Sequence, residues 1–270
     1  MSTEKYLLIV DGKETEKSIF ENLFKLYGFN VIKSERKLSK YENLHINESL
    51  FELENKNIIL IEGPKNRIHD ILINTTSSPE EDINNIDVEA LFGYNSNDFY
   101  GIFWIYDVDH NDNEDVEKMF SKFNDESENG LLLLSSPCVE VLSDYNIARI
   151  LKCEHIREYK RLLNDYWNKN GYKNAKDYIN CNISNLLVYF LDKNVKDFND
   201  ENIMNHPSEI IEFINKNNTR DNDKGFVEYR YFSTVVYTVL GFVSGLTKKI
   251  NNYSDVRNYI IKNQIRNTRN

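Results

Sequence analysis

Tyr6-Leu7-Leu8-Ile9-Val10-Asp11-Gly12 is the stretch that decides the fold. Five consecutive apolar residues with no polar alternation describe a strand covered on both faces, and Asp11-Gly12 stops it. A helix is expected next. Thr15 is a good N-cap, Ile19, Phe20, Leu23, Phe24 and Tyr27 recur at helical spacing, and Gly28 stands where a left-handed C-cap belongs.

Working outward, the same punctuation returns. Asn57 to Ile61 is a second apolar run, closed by Glu62-Gly63-Pro64 and followed by a loose helical period through Ile68, Ile71, Leu72 and Ile73. Tyr100 to Tyr106 is a third, closed by Asp107-Val108-Asp109-His110 and followed by an acidic helix candidate from Glu114 to Phe123. Leu131 to Leu134 is a fourth. Buried strands alternating with helices predict an α/β fold, a Rossmann-like parallel sheet with right-handed crossovers and flanking helices. Polar residues just past the carboxyl ends of such strands form the site.

Two insertions interrupt the alternation, near residues 33–56 and 75–98, each long enough to be either partly structured or functional. From about residue 147 helical signals dominate: Ile147 to Leu163, Ala175 to Leu191 and Ser208 to Ile214, with Tyr231 to Leu246 as a buried helix. The expected organisation is an α/β domain over residues 1–150 and a mostly helical domain over 151–270, for binding a partner, a substrate or a second copy of the chain.

Composition sets limits on function. The chain of 270 residues is 40% hydrophobic, which excludes intrinsic disorder, and 33 Lys plus Arg against 43 Asp plus Glu give a net charge of -10. Affinity for a phosphate backbone comes from cations that displace condensed counterions, so loose, unassisted coating of nucleic acid is excluded. The charge is uneven. Thr219 to Asn270 carries nine Lys or Arg against four Asp or Glu, and the tail cations Arg257, Lys262, Arg266 and Arg269 read either as a phosphate-contacting patch or as a solvated helix end. No run reaches the ~20 apolar residues of a membrane span, and the start Met1-Ser2-Thr3-Glu4-Lys5 has no export-signal character. Cys138, Cys153 and Cys181 are odd in number and lack metal-ligand spacing. A cytoplasmic protein with no membrane contact is expected.

Acids at strand ends are the chemical signal. Asp11 follows the first strand, and Asp107 and Asp109 follow the third with one residue between them, so in extended backbone they share a face and can converge on one cation. Oxygen donors without clustered His or Cys suit Mg2+ or Mn2+, which bridge substrate phosphates. That chemistry is phosphoryl transfer or phosphodiester hydrolysis by metal-activated water. An EF-hand over Asp107 to Lys118 fails, because Asp112 replaces the turn glycine and Lys118 the bidentate acid.

Three motifs then align with one family. Asp11-Gly12-Lys13-Glu14-Thr15-Glu16, Asp107-Val108-Asp109 and Ser135-Ser136-Pro137-Cys138-Val139-Glu140 stand in an order that resembles the TOPRIM domain of RloB-like and AbiL-type abortive-infection proteins. The resemblance covers roughly residues 5 to 150. Asp11 stands where that family has Glu, which keeps the charge and shortens its reach by one methylene, and Ser136 replaces Asn. Glu62-Gly63-Pro64 competes with Asp11 for the role of the family's glutamate, but lacks the Thr-Glu and the strong helix that follow Asp11.

The resemblance implies a Mg2+- or Mn2+-dependent endonuclease of bacterial anti-phage defence that cuts DNA or RNA, including tRNA, and works with a partner ATPase of the AAA or ABC class. By the same resemblance Asp11, Asp107 and Asp109 are catalytic, and together with Glu16 they hold the metal. Lys13, Ser135 and Glu140 are accessory positions. Lys13 or Lys17 offsets phosphate charge, or is an ordinary exposed lysine. The alternative is a catalytically weak TOPRIM-like module that binds and regulates a partner toxin or ATPase.

Overall fold

The computed structural model describes residues 3–10, 15–26, 28–37, 45–53, 55–62, 92–107, 113–125, 127, 129–136, 151–153, 156–174, 176–182, 219–221, 226–229 and 232–233. Two compact units divide the chain: Met1–Tyr106 with Glu114–Leu133, and Asp107–Asn113 with Leu134–Asn270. The boundary expected at residue 150 lies outside the described residues.

In the first unit the apolar runs form the strands they predict. β1 (Glu4–Val10) is followed by α1 (Thr15–Leu26), β2 (Asn30–Lys37), β3 (His45–Leu53), β4 (Lys56–Glu62) and β5 (Gly101–Asp107). After these come α2 (Asn113–Lys122), the two-residue β6 (Asn124–Asp125) and β7 (Gly130–Ser136). Strand order is β7-β5-β1-β4-β3-β2, with β6 on β7. β1 is central and runs parallel to both β4 and β5, Val10 lying opposite Glu62 on one side and Ile105 on the other. Leu7, Ile9 and Val10 of β1, Leu60 and Ile61 of β4 and Trp104 of β5 are fully buried, which is why these strands read as unbroken apolar runs.

The sheet is mixed, which corrects the expectation of a parallel one. Part of the expected insertion at 33–56 is the antiparallel meander β2-β3-β4, which extends the sheet beyond β4. Polar residues hid these strands from the pattern: Glu48 and Ser49 of β3 are buried, and hydrogen bonds make that burial tolerable. Tyr94 Oη donates to a Glu48 carboxylate oxygen at 2.8 Å, and Ser49 Oγ donates to Glu21 Oε1 at 3.5 Å.

The end of α1 follows its sequence closely. Gly28 has φ 88°, its N–H donates to the Lys25 carbonyl, and the Phe29 N–H donates to the Phe24 carbonyl. This is a Schellman cap, closed by ring packing of Phe29 on Phe24 at 5.5 Å. At the start of β7, Gly130 (φ 99°) lies so close to Trp104 that a Cβ would sit 2.7 Å from the indole nitrogen. The same indole donates to the Asn129 carbonyl at 2.9 Å.

The second unit departs further from its reading. β8 (Leu151–Cys153) lies inside the segment expected to be helical, and the helix, α3 (Ile156–Lys169), starts after it. β9 (Thr219–Asp221) and β10 (Phe226–Tyr229) complete a three-stranded antiparallel sheet in the order β8-β10-β9. β11 (Phe232–Ser233) falls at the head of the expected buried helix and pairs antiparallel with the end of β7. Among the described residues of this region, short strands accompany the helices. Strands of two to four residues carry too little pattern to be legible. Residues 176–182 are helical, and Tyr178 stacks on Trp167 of α3 at 3.5 Å between ring centroids. The expected helices at Ile68 to Ile73 and Ser208 to Ile214, and most of the 75–98 insertion, lie outside the described residues.

Candidate functional site

Parallel β4, β1 and β5 all end on the side of the first unit from which α1 departs. Val10 and Glu62 are partners in the ladder, so β1 ends beside the last residue of β4. Glu62 is 6% exposed, and an uncompensated carboxylate there would be costly. It is compensated. Lys17, in the first turn of α1, forms an ion pair with Glu62 Oε1, and Asn47 Nδ2 donates to Glu62 Oε2 at 3.4 Å.

Helical and strand periodicities build this seam together. Lys17 and Glu21 are four residues apart on α1 and share a face. Asn47 and Ser49 are two apart on β3 and share a face of the sheet, with Asn47 directly opposite Glu62. The polar residues of the helix therefore meet those of the sheet: Lys17 with Glu62, and Glu21 with Ser49. One turn further on, the interface becomes apolar, with Phe24 against Phe51 at 4.7 Å.

The expected site residues are distributed unevenly. Glu16 lies in the first turn of α1, where the helix dipole favours an acid, and is buried. Asp107 is the last residue of β5, partly buried, and belongs to the second unit. Ser135 is fully buried in β7 and pairs with Ser233 of β11. Asp11, Lys13, Asp109 and Glu140 lie outside the described residues. Lys17 is a correction: its ammonium is engaged by Glu62 instead of standing exposed. Sequence reasoning missed this pair and Asn47. The available signal was Glu62 itself, a charge ending a strand that is otherwise Ile and Leu.

An all-oxygen donor set of Asp11, Glu16, Asp107 and Asp109 has the chemistry that hard divalent ions take. Glu62 is engaged by the Lys17 ammonium at one carboxylate oxygen and by the Asn47 amide at the other. Among the described residues no group of three or more His, Cys, Asp or Glu forms a metal-binding array. No helix among them is long and apolar enough to cross a membrane.

Two other titratable groups are perturbed. Burial pushes the Tyr6 hydroxyl up, with help from the Glu4 charge and from the hydrogen bond to Glu4 Oε2 at 3.2 Å. Asp125 is held below its usual range by hydrogen bonds from the Ser127 hydroxyl and backbone N–H.

The described residues define a mixed α/β protein whose core strands are mostly parallel. Comparisons with protein-family models, with curated proteins and with solved structures returned no match to this chain.

Proposed function

We propose that the chain is a metal-dependent phosphodiesterase of TOPRIM type that cleaves DNA or RNA as an effector of anti-phage defence, together with a partner ATPase. One observation carries the reading. β5 is buried along its length, runs parallel to the central strand β1, and ends on the carboxylate of Asp107. The carboxyl ends of parallel strands are where open α/β sheets bind ligands, and an acid there is placed for chemistry on a phosphate ester.

Asp11, Glu16, Asp107 and Asp109 would hold Mg2+ or Mn2+, which supplies charge neutralisation and activation of water when bound. The chain's own contribution is positioning. The Lys17–Glu62 pair ties the first turn of α1 to the end of β4 and so fixes where the segment between β1 and α1 begins and ends. The net charge of -10 limits unassisted binding to phosphate backbones, so affinity for nucleic acid is expected to be weak in chelator and to rise with divalent metal.

The test is incubation of the purified protein, with and without its partner ATPase, against plasmid, single-stranded DNA and total RNA in Mg2+, Mn2+ or chelator. Metal-dependent cutting that is lost in Asp107→Asn and Asp109→Asn supports the proposal. Undiminished cutting by both variants overturns the metal assignment. Absence of cutting, with stable co-purification of a partner, transfers the protein to the class of regulatory binding modules.

A further inference from the structure

β2 forms the outer edge of the sheet in the first unit. It pairs with β3 in unbroken antiparallel register from Asn30 opposite Glu52 to Lys37 opposite His45. Among the described residues no strand pairs with its other side. An antiparallel edge strand points alternate backbone N–H and C=O groups outward, and such edges are usually blunted by proline, bulges, shortness or charged side chains. β2 is eight residues long, carries no proline and has no break in its register, so its charges, Lys33, Glu35, Arg36 and Lys37, are the one such device it has. Ile32, within it, is 50% exposed.

What distinguishes this edge is the order of its charges. In Asn30-Val31-Ile32-Lys33-Ser34-Glu35-Arg36-Lys37, Lys33 and Glu35 stand symmetrically about Ser34. If two copies pair antiparallel about a two-fold axis at Ser34, Lys33 of each falls opposite Glu35 of the other, and Ile32 opposite Arg36. Opposite charges directly across a ladder stabilise it, and the aliphatic part of an arginine covers apolar surface. A like-charged or uniformly basic edge would repel its own copy. At positions 33 and 35 this one matches it, and a two-fold contact closes on itself without propagating.

We infer that the chain self-associates as a two-fold dimer through antiparallel β2–β2 pairing centred on Ser34. Strand addition alone makes a modest interface, so the dimer is concentration-dependent. The inference does not rest on the nuclease reading, because none of its residues belongs to the proposed site.

Sedimentation equilibrium of the full chain tests it, with circular dichroism as the check on folding. Wild type is expected to shift from monomer to dimer with concentration. Glu35→Lys and Lys33→Glu each place like charges opposite one another twice, and each is expected to weaken dimerisation by about tenfold or more. The double variant Lys33→Glu/Glu35→Lys restores it. Mixing the two single variants gives a heterodimer, since one chain then carries acids at both positions and the other lysines at both, and every facing pair is of opposite charge. Misfolding cannot produce that outcome. A wild type that stays monomeric overturns the inference. So does a dimer indifferent to both single substitutions, or a mixture that shows no heterodimer.

Discussion

α1 rests on the sheet in two regions by opposite means. The aromatic region inserts Phe24, fully buried, among Phe20, Phe29 and Phe51, with ring centroids 4.7 to 5.9 Å apart. The polar region sets Lys17 and Glu21 against Glu62 and Ser49. Burial of apolar area is non-directional and tolerates small adjustments, whereas a buried ion pair is favourable only while both partners are present. The aromatic region therefore supplies most of the stability. The polar region holds the helix start beside the end of β4.

Removing the aromatic anchor should cost most. Phe24→Ala is expected to lower unfolding free energy by about 4 kcal/mol, read from urea denaturation, through lost transfer energy and the cavity left behind. A cost below about 1 kcal/mol would show that the two regions do not differ in the way described.

Lys17→Met should come next. It strands the Glu62 carboxylate in a buried position, at about 3 kcal/mol, while Lys17→Met combined with Glu62→Leu should recover most of that loss. Failure of the double variant to recover would mean that the pair is not the seam's organising contact. Neither variant alters the aromatic region.

Gly28→Ala probes the other end of the helix. With φ at 88° and open space around the missing Cβ, the penalty is backbone strain alone, about 1 kcal/mol. Thermal denaturation should show this modest loss and no change in cooperativity.

The smallest effect at neutral pH belongs to Tyr6, whose hydroxyl is raised above its ordinary value of 10.0. A raised folded-state pKa means that the folded protein keeps the proton longer than the unfolded chain. The associated stability is thus fully present below about pH 10 and is lost as pH rises toward the folded value. Tyr6→Phe should remove this alkaline dependence, and stability profiles of the two proteins should converge in slope below pH 10 and diverge above it.

Legibility follows the same contrast between apolar and polar burial. Tyr6 to Val10, Asn57 to Ile61, Tyr100 to Tyr106 and Leu131 to Leu134 each lie within an observed strand or within one residue of it, because two covered faces require apolar residues at every position. Ile19 to Gly28 yielded α1 and its cap, because periodicity and a left-handed glycine are local signals. β3 was not legible, since Glu48 and Ser49 are acceptable inside only with Tyr94 and Glu21 beside them. Of the candidate site, the acids at strand ends could be picked out from sequence, and Asp107 does end β5. The engagement of Lys17 by Glu62 could not be read, because those residues are 45 positions apart and meet only across a helix–sheet interface.

By itself, the sequence determined the central strands, the first helix with its C-terminal cap, and a net acidity that limits unassisted contact with phosphate backbones. These depend on hydrophobic pattern, backbone geometry and charge, which are properties of neighbouring residues or of sums over the chain. Tertiary structure alone decided that the sheet is mixed, which polar groups it buries, and which strand is left at its edge. Those outcomes turn on pairings between distant segments, where a hydrogen bond or an ion pair makes burial tolerable that either residue alone would forbid.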